Sequence, residues 1–397
     1  MVTKAVILAA GEGKRLRPFT ETMPKVMLPV ANKPILEYVL NAVKKSGIEE
    51  VFLVVGYKKE VIMEYFEDYK GVTITYINQD KQLGTAHALL QAKRFIKEPF
   101  IVLAGDNIID SSSIQRLMKD PSEYTILIKE HPYPSKYGVV FVENKKISRI
   151  VEKPKEDIGK YISTGIYKLP HSVFAVIERC SSQGIHALST VIQTLVDEGK
   201  HIDTVLASVW MDIVYPWDLI SVNEAMIQGS AESTNGTIEK GVTLKGPVTI
   251  GKDTTIYAGC YIVGPAVIGE GCEIGPHACI FPSTTIGNNS VVHPFSVIRS
   301  SVIMNDVHIS SNSHLSHSVI GKGCILGDNF STIPDKTIIE SDNEFHKLDA
   351  PIGAMIGEDC VIDSHVVVQP GRIIGRKCHI SPLTNIYKNI PSESKVM

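Results

Sequence analysis

The sequence predicts two domains of different class: an α/β domain built on a mostly parallel sheet, then an all-β solenoid of short repeated turns. Three observations carry this. Apolar strand-like runs alternate with amphipathic helical stretches through the first half. From residue 238 an aliphatic side chain returns at every sixth position. Between the two, residues 229–236 read Gly-Ser-Ala-Glu-Ser-Thr-Asn-Gly, the composition of a linker. The expected boundaries are therefore 1–228, a linker at 229–236, and 237–397.

In the first half, strands are expected at 4–10, 51–55, 73–77, 100–104 and 124–129. Helices are expected at 34–46, 58–68 and 85–96. Asn32 and Pro34 suit the start of the first helix. A βαβα order implies helices on both faces and a ligand pocket at the carboxyl ends of the strands. The glycines at Gly11 and Gly105 both fall at such ends, so they are expected to face one pocket.

In the second half, positions 238, 244, 250, 256, 262, 268, 274, 280, 286, 292 and 298 are all Ile, Leu or Val. The period slips by one residue at Ile303, Ile309 and Leu315, and again at Ile320 and Leu326. It breaks at 334–351 and resumes at 356, 362, 368, 374, 380 and 386. One aliphatic per hexad, often followed by Gly, predicts a coil of short strands stacking their aliphatics into a central column. The break predicts a loop extruded from one coil. Flat-sided solenoids often pack together, so a homo-oligomer, with a trimer favoured, is expected.

The chain has 397 residues, of which 44% are hydrophobic and 21% charged, with a net charge of −3. That balance gives no global attraction for nucleic acid or an anionic membrane. No stretch approaches the roughly 20 apolar residues of a membrane span, and the run before Gly11 is too short for a signal-peptide core. The seven cysteines form no C-x-x-C pair and suit reduced, half-buried thiols in a cytoplasmic protein.

The candidate chemistry begins at Leu8-Ala9-Ala10-Gly11-Glu12-Gly13-Lys14-Arg15-Leu16, followed by Pro24-Lys25. Glycines let backbone N–H groups approach an anion, and Lys14, Arg15 and Lys25 supply positive charge. The loop is neither a P-loop nor a dinucleotide fingerprint, since it lacks G-K-[ST] and has Leu16 where a third glycine belongs. The full string LAAGEGKRLRPFTETMPKVMLPVANKPILEY closely resembles the signature of the sugar-1-phosphate nucleotidylyltransferases.

That resemblance implies a Rossmann-like nucleotidyltransferase domain and, for the tail, the left-handed parallel β-helix of hexapeptide-repeat proteins. It implies nucleotide contacts from Leu8, Ala10, Gly11 and Gly13, with Arg15 and Lys25 neutralising the reacting phosphoryl group. Gln82-Leu83-Gly84-Thr85-Ala86-His87 matches the family's base-reading segment. Gln82, Gly84 and Thr85 are thus nucleobase candidates leaning toward UTP or dTTP, and His87 is structural. Asp106, in A-G-D-N, and Asp212, in W-M-D, match positions that bind Mg²⁺, a cation suited to one or two carboxylates plus phosphate oxygens and water. Asp218 is expected to be structural at a helix start. On the sugar side, Gly138, Glu152, Lys153 and Thr164 lie in matching segments. The Ser163-Thr164-Gly165 and Ile185–Thr190 segments depart from the family pattern, so the sugar is left open.

The implied partners are a nucleoside triphosphate and a sugar-1-phosphate. Nucleotidylyl transfer is expected, with two alternatives. Some relatives of this layout also N-acetylate glucosamine-1-phosphate with acetyl-CoA, using a histidine in a His-Leu-Ser/Thr-Tyr-x-Gly-Asp segment. Here His314-Leu315-Ser316-His317 lacks the Tyr-x-Gly-Asp portion. Others are non-catalytic scaffolds that lose the loop arginine, the lysine or the aspartates; Arg15, Lys25, Asp106 and Asp212 are all present here.

Overall fold

The computed structural model describes residues 2–230, 232–341 and 344–397. By packing, the chain divides into two units. The first comprises Met1–Glu12, Met23–Met27 and Pro34–Asp212; the second comprises Gly13–Thr22, Leu28–Lys33 and Ile213–Met397. Two pieces of the N-terminal string, and the helix Asp218–Ile227, thus group with the repeats. That helix packs on the repeat strands Thr284–Ile286 and Val302–Ile303. Ala231 of the expected linker lies outside the described residues. Ser233–Thr234 within that linker is already a strand, parallel to Thr249 and Ile250.

In the first unit, every strand expected from the sequence is present within a residue of its expected ends. In chain order the elements are β1 (Lys4–Ala9), α1 (Ile35–Ser46), β2 (Glu50–Val55), α2 (Lys59–Tyr65), β3 (Thr73–Asn78), α3 (Thr85–Leu90), β4 (Phe100–Ala104) and β5 (Asn107–Ile109). They continue with α4 (Ser111–Lys119), β6 (Tyr124–Glu130), β7 (Gly138–Glu143), β8 (Lys146–Glu152), β9 (Tyr161–Leu169), α5 (Val173–Ser182), α6 (Leu188–Asp197), β10 (Ile202–Leu206) and β11 (Trp210–Asp212). The main sheet runs β3-β2-β1-β4-β9-β6-β10-β8-β7.

The first four of these are parallel; β1, β2 and β4 are nearly all buried, as continuous apolar runs require, while the edge strand β3 buries only Ile77. The rest of the sheet is mixed rather than mostly parallel, because β9 pairs antiparallel with both β4 and β6, and β7–β8 is a hairpin. The hairpin turns through Asn144 and Lys145, both at positive φ. The helix expected at 85–96 ends at Leu90. Beyond it the backbone closes short turns, with Ala92 N–H on the Leu89 carbonyl and Phe95 N–H on that of Ala92.

Asn32 does not cap α1, whose N-cap is Pro34 without a side-chain bond. It sits at φ 60 in the tight turn between Pro29–Val30 and Lys33–Pro34, and its side-chain N–H donates to the Ile286 carbonyl at 2.6 Å. An asparagine tolerates that left-handed conformation, which explains why it occupies a turn rather than a cap.

The second unit is the expected left-handed parallel β-helix, with sheets of eight, nine and eight strands. Its aliphatic column runs Ile250, Ile268, Ile286, Ile303, Ile320, Ile356 and Ile374, each residue in register with the next. The one-residue slip is visible as a shortened coil: Ile268 pairs with Ile286, but Ile286 pairs with Ile303. These residues are essentially inaccessible, and each buried aliphatic contributes about 1.5–3 kcal/mol.

The break in the repeat is an antiparallel hairpin, Asp335–Ser341 with Glu344–Ile352; Asp342 and Asn343 at its tip lie outside the described residues. His346 anchors it against Tyr215 and Trp217, with ring centroids 4.4 and 5.4 Å away. The cysteines are unpaired thiols, but more deeply set than expected: all are buried except the partly exposed Cys279.

Candidate active site

Three strand ends build the charged centre of the first unit. β4 runs parallel to β1, with Leu8 opposite Ala104, so Asp106 emerges where β1 ends. The turn between them is tight. Gly105 N–H donates to the Leu8 carbonyl at 2.9 Å, and a Cβ on Gly105 would lie 3.1 Å from that oxygen. β11 then pairs antiparallel with β5, matching Asp212 to Asn107. That small ladder joins two carboxylates far apart in sequence.

Lys25 lies between them. Its ammonium is 2.6 Å from Asp106 Oδ2 and 3.0 Å from Asp212 Oδ1, with the lysine side chain only 14% exposed. Burial alone pushes the Lys25 pKa down, but the two carboxylates outweigh it and the pKa is raised. A single compact cation thus already sits in contact with both carboxylates. Two oxygen donors in reach of one point charge suit a hard divalent ion whose other ligands are phosphate oxygens and water. Among the described residues no cluster of three or more acidic, His or Cys side chains supplies a fuller cage.

Of the loop residues, Leu8 is near the end of β1, Ala10 follows the strand directly, and Gly11 is exposed, with nothing beyond its chain neighbours within 4 Å of where a Cβ would stand. Gly13, at φ 75, opens the 3₁₀ turn Lys14–Leu16, where Arg15 is exposed; this turn belongs to the second unit.

The segment 82–85, expected to read the base, is held by the chain around 186. Gly84, at φ 147, leaves no room for a side chain, since a Cβ would come within 2.5 Å of the His186 carbonyl. Ala86 N–H donates to that carbonyl at 2.8 Å, and Thr85 Oγ1 accepts from Leu188 N–H at 2.9 Å. Thr85 therefore has a structural bond besides any contact with a base. Gln82 is exposed. His87, expected to be structural, is bonded through Nδ1 to Gln79 at 2.8 Å.

On the β7–β8 hairpin, Gly138 and Glu152 are direct cross-strand partners, and Lys153 follows, exposed at φ 43. Thr164 is buried, and its hydroxyl donates to the Leu127 carbonyl at 2.7 Å. In the second unit, His314 is exposed on the strand His314–Ser316.

The Nucleotidyl transferase family matches residues 4–229, more than half of the chain. The chain belongs to the nucleotidyl transferase family. Residues 262–347 also match the GMPPB C-terminal domain. Along nearly its whole length this nucleotidyltransferase is similar to proteins named Bifunctional protein GlmU. That of Methanococcus maripaludis strain S2 is 36% identical, covering 99% of this chain and 96% of the relative. That of Methanocaldococcus jannaschii is 33% identical, over 99% and 97%. A crystal structure described as a glucose-1-phosphate thymidylyltransferase from Bacillus anthracis shares 27% identity at a TM-score of 0.53, covering 58% of this chain and 97% of that one.

The nucleotidyltransferase site also uses residues that sequence reasoning missed. Asp110 caps α4 through Ser113 N–H at 2.9 Å and accepts Val209 N–H at 2.9 Å, fixing the approach to β11 and hence Asp212. Burial pushes its carboxyl up, but bonds from Ser112, Ser113 and Val209 outweigh it and bring the pKa down to about 2. The only sequence signal was an Asp before Ser-Ser-Ser, a plain helix cap. His131, Tyr137 and Trp210 form an aromatic chain next to Asp212, with centroids 4.9 and 5.4 Å apart. Burial lowers the His131 pKa, so this imidazole is neutral near pH 7.

Proposed function

We propose that this nucleotidyltransferase transfers a nucleoside monophosphate from a nucleoside triphosphate, UTP or dTTP favoured, to a sugar-1-phosphate, releasing pyrophosphate. The Lys25 ammonium between the Asp106 and Asp212 carboxylates carries the reading. A sugar phosphate is an anion near neutral pH, so the reaction needs alignment and charge neutralisation more than a strong base. In this reading Lys25 and Arg15 hold the reacting phosphate, and the backbone of the Gly11–Gly13 loop holds the others. Gln82 reads the base edge, with Gly84 and Thr85 fixing the backbone beside it. Lys153 takes the sugar phosphate, and Glu152 accepts sugar hydroxyls.

Asp106 and Asp212 would hold Mg²⁺, which when bound supplies charge neutralisation on phosphate oxygens. Lys25 must then leave at least one carboxylate and turn to the substrate. The deciding experiment is a matrix of nucleoside triphosphates against sugar-1-phosphates, read by pyrophosphate release with Mg²⁺. Turnover in a pyrimidine row supports the reading; no turnover in any combination favours a scaffold instead.

A second reading, acetyl transfer from acetyl-CoA to glucosamine-1-phosphate with His314 as base, is favoured by full-length similarity to proteins named as bifunctional. Its test is CoA release with the wild type and His314→Ala. No helix among the described residues is long and apolar enough to cross a membrane. A cytoplasmic homo-oligomer, a trimer through the β-helix, remains the expected setting.

A further inference from the structure

The turn that carries Arg15 is packed within the second unit. Leu16 and Phe19 are fully buried there, and Thr20 closes the segment on itself by donating to the Gly13 carbonyl at 2.9 Å. Pro18 lies against the backbone of a repeat coil: a Cβ placed on Gly357 would come within 2.9 Å of the Pro18 Cβ. The far end is held by charge. The Ser392 hydroxyl is 3.1 Å from both Glu21 carboxylate oxygens, and the Arg376 guanidinium is 3.6 Å from one of them. Those partners are aligned with each other, since Arg376 N–H donates to Ser392 Oγ at 3.1 Å. Glu393 braces the same guanidinium at 3.3 Å.

A second tie follows Lys25 in sequence. Ala31 N–H donates to Asn223 Oδ1 at 2.9 Å, and Thr285 of the repeats donates to the same oxygen at 3.3 Å. Asn32 donates to the Ile286 carbonyl. Residues Met23–Met27, which carry Lys25, are thus flanked in the chain by two segments bonded to the β-helix.

We infer that the last coils of the β-helix position the phosphate-binding Arg15 segment for nucleotidylyl transfer. Glu21 is the positioning residue and Arg376 and Ser392 are its partners. The inference rests on the role proposed above for Arg15. An exposed arginine on a three-residue turn has little local structure to fix it. Misplacing a reacting-group partner by about 1 Å can cost about a hundredfold in rate. The repeats then supply rigidity to the Gly13–Thr22 segment, which lies at the other end of the chain.

The test uses the full-length chain with Arg376→Ala, Ser392→Ala, and the charge exchange Glu21→Arg with Arg376→Glu. Two readouts are taken: steady-state pyrophosphate release, and amide hydrogen exchange over residues 14–22. Arg376→Ala is expected to lower kcat/KM for the nucleoside triphosphate about tenfold and to leave KM for the sugar phosphate within about twofold. Exchange over 14–22 speeds up, and the charge exchange recovers at least a third of the loss. Unchanged exchange, nucleotide kcat/KM within twofold of wild type, or equal losses toward both substrates would overturn the inference. A wild-type chain with no turnover in any combination overturns the proposed function instead, and the exchange data still decide whether Glu21 holds the segment.

Discussion

Replacing Lys25 with Met separates the two functions of its ammonium. The side chain is close to isosteric, so the change removes the charge with little loss of packing. In the wild type that charge lies 2.6 Å from Asp106 and 3.0 Å from Asp212. At an effective dielectric of about 20, each such pair is worth about 6 kcal/mol before desolvation is counted. Removing one partner from a buried ion-pair network costs about 3–5 kcal/mol. Asp106 is 29% exposed and can be partly rehydrated, so a loss of about 2–3 kcal/mol of stability is expected here. The two carboxylates then repel, and a divalent cation can occupy their shared seat without displacing an ammonium. Mg²⁺ should therefore bind the variant more tightly, while kcat falls by about a hundredfold or more because the group proposed to hold the transferring phosphate is gone. Thermal unfolding with and without Mg²⁺, beside initial rates of pyrophosphate release, reads both effects. A kcat within fivefold of wild type, or a Mg²⁺-induced rise in Tm no larger than that of wild type, would refute the reasoning.

Asp110→Ala is expected to cost about 1–2 kcal/mol through the lost helix cap and the freed Val209 N–H, and to lower kcat because the strand bearing Asp212 loosens. The folded pKa of Asp110 is depressed to about 2 from 3.8. Its contribution is therefore complete above pH 4 and lost as pH falls through about 2. The variant's acid unfolding curve should be flatter across that window, which circular dichroism against pH checks. Gly84→Ala, which presses a methyl onto the His186 carbonyl, should raise KM for the nucleoside triphosphate about tenfold and leave KM for the sugar phosphate unchanged, as initial rates over both substrates would show. Ile303→Ala in the column should destabilise by about 3 kcal/mol, seen as a lower urea midpoint.

The β-helix was legible almost coil by coil because a stacked solenoid repeats one local demand, an inward aliphatic at each flat side. Even the shortened coil after Ile286 is written as a one-residue slip in the period. The hairpin at 335–352 was legible only as an interruption, since its alternation is weak and its anchor, His346 against Tyr215 and Trp217, is a contact at long sequence range. The parallel half of the sheet could be read for the converse reason: strands buried on both faces are continuous apolar runs. The antiparallel half could not, because its strands interleave polar residues with apolar ones: Arg149 is exposed on β8, and Lys168 is buried in β9 with its ammonium on the Asp120 carbonyl.

At the site, motif and geometry agreed where the backbone itself does the work. Gly84 is a glycine because the His186 carbonyl lies too close for a Cβ, and a Cβ on Gly105 would press on the Leu8 carbonyl; both stood out in the sequence. Side-chain orientation was harder to foresee. Thr164 lies in a matching segment, yet its hydroxyl satisfies the Leu127 carbonyl on the neighbouring strand β6, as a buried hydroxyl must find a partner. Asp110 and Glu21 carried no motif, because a cap and an ion pair have no sequence period. Each acts through a residue far along the chain, Val209 in one case and Arg376 and Ser392 in the other. That distinction bears on what the N-terminal string means. In the proposed function its motif supplies the groups that meet the phosphates. The Arg15 segment is bonded to residues nearly at the C-terminus, Arg376 and Ser392, and in the inference drawn above these act on nucleotidylyl transfer without contributing a reacting group.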